Sequence, residues 1–211
     1  MNKQILAIIG IVGVIVLLVV IVASFSDESK PSETQSQTPS DISGHHGSDT
    51  TNDEKFQSLI EKEAPDFILE SYTGEQVSLQ ELRGKKIVLF FTEGLMCYPS
   101  CWNQMAAFGE DSAFNNSNVV TLSITVDRKE DWRQAIEKMP ELSRAIVLFD
   151  TNRQVSSEYG VLSLSSSMHK GQFPGHTYLI LDEEGVVRFI KDDPQMGIRN
   201  DELKAELGKL K

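Results

Sequence analysis

The chain has 211 residues and a formal net charge of −11, from 31 Asp and Glu against 20 Lys and Arg. That acidic excess excludes binding to a phosphate backbone by charge, so no nucleic-acid partner is expected. There are two cysteines in all, and no zinc quartet, phosphate loop or hydrolase triad is visible.

Ile5 to Phe25 is an apolar run broken only by Gly10, Gly13 and Ser24. About 20 apolar residues span a bilayer. Lys3 precedes the run and Asp27 and Glu28 follow it, an asymmetry that directs the C-terminal bulk out of the cytoplasm. Residues 1–25 are therefore predicted as a single N-terminal transmembrane helix in the cell membrane. A cleaved signal peptide ending near Val22-Ala23-Ser24 is the competing reading, although its apolar core is usually shorter. Residues 26–55 are rich in Ser, Thr, Asp and Gln, with Ile42 the only large apolar residue. Such a segment cannot bury enough surface to offset its ordering entropy and is predicted as a disordered acidic tether. His45-His46 within it is polar filler or a weak metal-capturing pair. Residues 56–211 have the size of one domain.

Within that domain, Ala64 to Leu69 begins a short strand, Thr73-Gly74 is a turn, and Val77 to Leu79 leads into a short helix through Leu82. Lys86 to Phe91 is a continuous apolar strand of the buried kind. Glu93 to Met96 is a loop, and Cys101 to Gly109 is helical. Val119 to Val126 is the next strand. Asp127 is placed to cap a helix from Lys129 to Lys138, with Pro140 beyond its end. Ala145 to Phe149 is a strand and Val155 to Tyr159 a short helix closed by Gly160. Thr177 to Leu181 and Val186 to Ile190 form a hairpin, and Asn200 caps a final helix to Leu210. This alternation predicts an α/β sheet with helices on both faces.

The two cysteines stand in Cys97-Tyr98-Pro99-Ser100-Cys101, between a strand and a helix. A helix N-terminus presents free N–H groups and partial positive charge, which favour thiolate over thiol. Sulfurs at i and i+4 can close a small disulfide or grip one metal ion. A structural staple usually closes a longer loop, so the pair points to redox or metal chemistry. The cysteine content also fits an oxidising compartment.

Four stretches resemble the thioredoxin-fold redoxins of the peroxiredoxin (AhpC/TSA) and TlpA-like superfamily. They are Ala64-Pro65-Asp66-Phe67; Gly84-Lys85 followed by Ile87 to Phe91; Val147 to Asp150 with Val155 to Val161; and Pro174 to Gly185. The resemblance implies a thioredoxin-like central sheet with flanking helices. It implies an oxidoreductase acting through Cys97 and Cys101 on a protein dithiol or disulfide, or on a hydroperoxide, with no cofactor. The departures are specific. Peroxiredoxins carry Pro and Thr seven and three residues before the attacking Cys, where this chain has Phe90 and Gly94. The family's Arg near the late strand is replaced by Gly175. Thioredoxin-like proteins use Cys-x-x-Cys and a cis-proline opposite it, to which Pro174 corresponds after a one-residue slip, unless it is an ordinary trans turn residue. Glu93 is close enough in sequence to serve as a proton acceptor or to stand as a solvated loop carboxylate. Trp102 and Phe108 face the core, or Trp102 shields the sulfurs.

The Cys-x-x-x-Cys spacing also resembles the Sco-type copper proteins, which place a His before the same late strand. That resemblance implies an alternative, a copper-binding assembly factor using Cys97, Cys101 and His176. Met96, Met168 and His169, the last two in a polar loop expected to be mobile, are further soft donors. Trp102 stands where that family has Pro.

Overall fold

The computed structural model describes residues 49–210. The predicted anchor (1–25) and the tether up to residue 48 lie outside the described residues. In chain order the elements are α1 (Asp49–Gln57), β1 (Ile68–Ser71), β2 (Gln76–Ser78), β3 (Lys86–Phe91), α2 (Ser100–Glu110), β4 (Val119–Thr125), α3 (Lys129–Lys138), β5 (Ile146–Phe149), α4 (Gln154–Glu158), β6 (Thr177–Leu181), β7 (Val187–Asp192) and α5 (Asn200–Leu207). The strands form one mixed sheet in the order β2-β1-β5-β4-β3-β6-β7, with β4 parallel and β6 antiparallel to β3.

A strand covered on both faces needs no alternation of polar and apolar residues. Ile87 to Phe91 are accordingly all apolar and all buried. Their side chains divide between the two faces. Ile87, Leu89 and Phe91 join Phe56 of α1, Val155 of α4, Tyr159 and Leu179 in one core layer. Val88 and Phe90 join Met105 and Phe108 of α2, Trp132 of α3 and Leu203 of α5 in the other. Both cysteines belong to this second layer. Among the described residues no helix is long and apolar enough to cross a membrane.

Several boundaries differ from the sequence expectation. Helix α1 begins inside the predicted tether, and its Phe56 is buried in the first core layer. The first strand starts at Ile68 rather than Ala64. The backbone before it is engaged elsewhere, Ala64 N donating to Gly185 O and Leu79 N to Phe67 O. The Val77 region is strand β2 and a single turn of tighter helix, Gln80–Leu82. Asp127 does not cap α3, whose N-cap is Arg128. Its carboxylate accepts instead from Leu95 N at 2.8 Å and from the Thr125 hydroxyl at 2.8 Å. Asn200 lies within α5 rather than capping it. Its side chain reaches across to α2, donating to Ala107 O at 3.1 Å and accepting from Gln104 Nε2 at 2.9 Å. Helix α5 ends at Leu207, not Leu210.

Leu89 sits fully buried in the central strand. Leu89→Ala is expected to lower the unfolding free energy by about 2–5 kcal/mol, the range for a leucine truncated in a packed core. In urea titrations this is a lower midpoint at unchanged slope. A loss below about 1 kcal/mol would contradict the packing described.

Candidate redox site

After β3 the chain turns through Glu93 and the single tight turn Gly94–Met96 before reaching Cys97. Gly94 has φ +59°, a left-handed conformation suited to glycine. A Cβ there would overlap the Asp127 carboxylate and the Thr125 hydroxyl. Gly94 O accepts the Trp102 indole N–H at 3.0 Å, which draws the first turn of α2 onto the loop. Trp102 is core-facing, as expected, and so is Phe108.

Cys97 and Cys101 form a disulfide with Cα atoms 5.4 Å apart. Both cysteines are buried, Cys97 3% exposed and Cys101 0%. Among the described residues the one cis peptide bond is Tyr98–Pro99, inside the cysteine loop. Pro174, placed by its sequence position as either a cis-proline opposite the cysteines or an ordinary trans proline, is trans and buried. A Cβ at its neighbour Gly175 would overlap Ser166 Oγ and crowd the Ser167 backbone.

His176 is brought to the sulfurs, its Nδ1 3.3 Å from Cys101 Sγ. Its Nε2 lies 2.6 Å from the Tyr178 hydroxyl and 3.3 Å from Gly197 O. The tautomer follows from the network. Tyr178 Oη donates to Gln104 Oε1 at 3.0 Å or to Gly197 O at 3.3 Å, both acceptors only. The proton on the His176–Tyr178 contact therefore sits on Nε2, and the Nδ1 lone pair faces Cys101. Gln104 is itself oriented, its Oε1 accepting from Arg199 N at 2.7 Å and its Nε2 donating to Asn200. Burial pushes the His176 pKa down to about 4, against a weaker upward pull from Asp193.

Asp193 organises the segment that follows β7. Its backbone N donates to His176 O at 2.9 Å. Its carboxylate accepts from Gly197 N at 3.1 Å and, in bidentate fashion, from Arg199 at 2.7 and 2.8 Å. This segment sets Met196 Sδ 3.9 Å from Cys97 Sγ.

Glu93 departs from one of the two roles considered for it. It is fully buried, not a solvated loop carboxylate. Its oxygens accept from Met168 N at 2.6 Å and His169 N at 3.0 Å, and meet His169 Nδ1 at 3.1 Å. It ties down the polar loop that was expected to be mobile. Met96 and Met168 turn outward, 54% and 58% exposed. Met196, Tyr178, Gln104 and Asp193 are site residues the sequence reading missed. Tyr178, in β6 two residues after His176 at the strand's entry, was detectable from its spacing. Met196 carried no local signal.

The ligand atoms of Cys97, Cys101 and His176 lie within 4.8 Å of one another. Two sulfurs and an imidazole suit copper. Sulfurs bonded to each other offer no thiolate, so the residues fit a metal in the reduced dithiol form.

A buried Cys–Cys pair at the junction of a central strand and a helix, on a thioredoxin-like mixed sheet, defines a redoxin. A sequence model of the AhpC/TSA family matches residues 60–190, and the chain belongs to that family. Peroxiredoxin Bcp of Escherichia coli (strain K12) is 29% identical over 132 residues, covering 62% of this chain and 83% of that protein. A putative peroxiredoxin bcp of Coxiella burnetii is 30% identical over 131 residues, covering 61% and 84%. Among solved structures, peroxidoxin BcpB from Mycobacterium tuberculosis superposes with a TM-score of 0.59 at 21% identity, over 72% of this chain and 97% of that one. A putative protein disulfide isomerase from Bacteroides thetaiotaomicron gives 0.56 at 19% identity, over 72% and 89%. At such identities these structures establish the fold alone.

Glu93→Ala is expected to release the loop it ties. Removing the acceptor of two amides costs about 1–3 kcal/mol, and hydrogen exchange at Met168 and His169 should accelerate about 5- to 150-fold. Unchanged protection would refute the tie. His176 gives a pH signature. The folded protein keeps it neutral down to about pH 4, whereas an unfolded histidine titrates near 6.5. Between these values the unfolded chain holds more protons, so this contribution to stability is complete above 6.5 and is lost as pH falls toward 4. Wild type should lose about 3 kcal/mol relative to His176→Asn across that window, at roughly 1.4 kcal/mol per unit. Parallel pH curves for the two proteins would contradict the burial argument.

Proposed function

We propose that this protein is a thiol–disulfide oxidoreductase cycling Cys97–Cys101 against a partner protein. The observation that carries the reading is the closed pair beside glycine at both positions where the peroxidase pattern needs a side chain. At Gly94 and Gly175 a Cβ has no room, so neither the Thr nor the Arg of that pattern fits this backbone. In the reduced protein the Cys97 thiolate attacks a partner disulfide, bonding one sulfur and displacing the other as thiolate. Cys101, beside the His176 Nδ1 lone pair, loses its proton to solvent and attacks the Cys97 sulfur, displacing the partner's second sulfur as thiolate. The partner leaves with two electrons, its two thiolates taking from solvent the two protons that Cys97 and Cys101 gave up, and the Cys97–Cys101 bond closes. Run backward, the same steps oxidise a partner dithiol. Trp102 walls the site, and Glu93 and Pro174 act only by fixing the surrounding loops. In the cell, residues 1–25 anchor the chain and 26–48 tether the domain outside the cytoplasm, as the charge asymmetry around the apolar run supports.

The second reading is copper handling without turnover, through Cys97, Cys101 and His176. The mutual approach of their three ligand atoms favours it.

Trapping discriminates the roles. Cys101→Ser is expected to accumulate mixed disulfides between Cys97 and a protein disulfide substrate. If only Cys97→Ser traps them, the two roles are reversed. Reduced wild type should be oxidised by a protein disulfide far faster than by hydrogen peroxide. Rapid peroxide consumption with sulfenic acid on Cys97 would replace this reading with a peroxidase one.

A further inference from the structure

We propose that Met196 is the fourth donor of a Cu(I) site that the reduced cysteine pair forms with His176. The inference rests on the copper reading and adds to it a ligand from a segment outside the cysteine motif and the late strand.

Two donor pairs already stand at the separations of ligands on a single tetrahedral ion. Two sulfurs bound at about 2.3 Å to one tetrahedral centre stand about 3.8 Å apart, and a sulfur and an imidazole nitrogen at about 2.0–2.1 Å stand about 3.5 Å apart. Met196 Sδ is 3.9 Å from Cys97 Sγ, and His176 Nδ1 is 3.3 Å from Cys101 Sγ. The two cysteine sulfurs, bonded at 2.01 Å, must separate to bind one ion, and reduction does that. The imidazole is prepared, because its proton is held at Nε2 by Tyr178 and its free lone pair looks into the cluster. Ligating imidazoles usually have the other ring nitrogen anchored in this way.

Met196 is held in place by its backbone. It has φ +50°, which a residue other than glycine seldom adopts. Asp193 fixes the conformation on both sides, through Gln195 N at 3.3 Å and Gly197 N at 3.1 Å, with Arg199 locking the carboxylate. A thioether is a soft ligand that serves Cu(I) and contributes little to Zn(II). A donor set of two thiolates, one imidazole and one thioether therefore selects the monovalent soft ion.

The chemistry balances without further parts. A dithiol reductant supplies two electrons and two protons to the Cys97–Cys101 bond and leaves as a disulfide. Cu(I) then displaces the two thiol protons. Disulfide and bound copper exclude each other, so the redox state of the pair decides whether the ion is held.

The test uses the full-length chain, reduced with a dithiol and freed of it without oxygen. Cu(I) is titrated in competition with a chromophoric chelator, and X-ray absorption counts sulfur and nitrogen ligands. Wild type is expected to bind one Cu(I) with three sulfurs and one nitrogen. Met196→Leu should bind at least tenfold more weakly with two sulfurs, while Zn(II) affinity is unchanged and the oxidised form keeps its circular dichroism. Equal Cu(I) affinity and sulfur count in Met196→Leu, with binding still lost in His176→Ala, would overturn the inference and leave the copper reading standing. No stoichiometric Cu(I) on reduced wild type would overturn both.

Discussion

The antiparallel pairing of β3 with β6 is the constraint on which the site depends. Its register sets Phe91 opposite Thr177 and Phe90 opposite Tyr178. The residues after β3 and those before β6 therefore emerge at the same end of the sheet. One chain direction delivers the cysteine turn and the other delivers His176. Phe90 fills the space beneath, stacked on Tyr178 at 4.9 Å and edge-on to His176 at 4.7 Å. A slip of one residue in this pairing would turn Tyr178 to the opposite core layer and remove the anchor of the imidazole.

Kinship and site chemistry carry different weights here. The family match covers the sheet and most of its helices, and it describes a scaffold that hosts several reactions. What the scaffold can do at this site is set by local packing. Asp127 and Thr125 converge on Gly94, and the Ser166–Ser167 backbone converges on Gly175. Restoring a peroxidase pattern would require moving these neighbours as well as exchanging the two glycines. In place of a threonine and an arginine, the sulfurs meet a neutral imidazole and a thioether.

Much of the sheet was legible because its signals are local. Lys86–Phe91 and Lys129–Lys138 read correctly to the residue, one from its apolar run and the other with Pro140 beyond its end, although the Asp127 cap assigned to it was wrong. The Cys97–Cys101 pair and the place of His176 before the late strand were legible for the same reason. The misses were side chains whose partners are remote in sequence. Asp127 looks like a cap until Leu95 claims it, and Asn200 looks like one until α2 does. Glu93 looks solvated until the loop at Met168 folds over it. Met196 is 99 residues from Cys97, and no spacing rule reaches that far. Pro174 was read through a family register, whereas the cis bond lies within the cysteine loop itself.

The chain has two tryptophans, and both lie in the core layer that contains the cysteines. Trp102 is the residue after Cys101, and its ring centre is 6.4 Å from that of Trp132. A disulfide quenches indole emission at short range, and a dithiol does so less. The protein thus carries its own optical gauge, whose brightness follows the state of one sulfur–sulfur bond, with no other indole to obscure it.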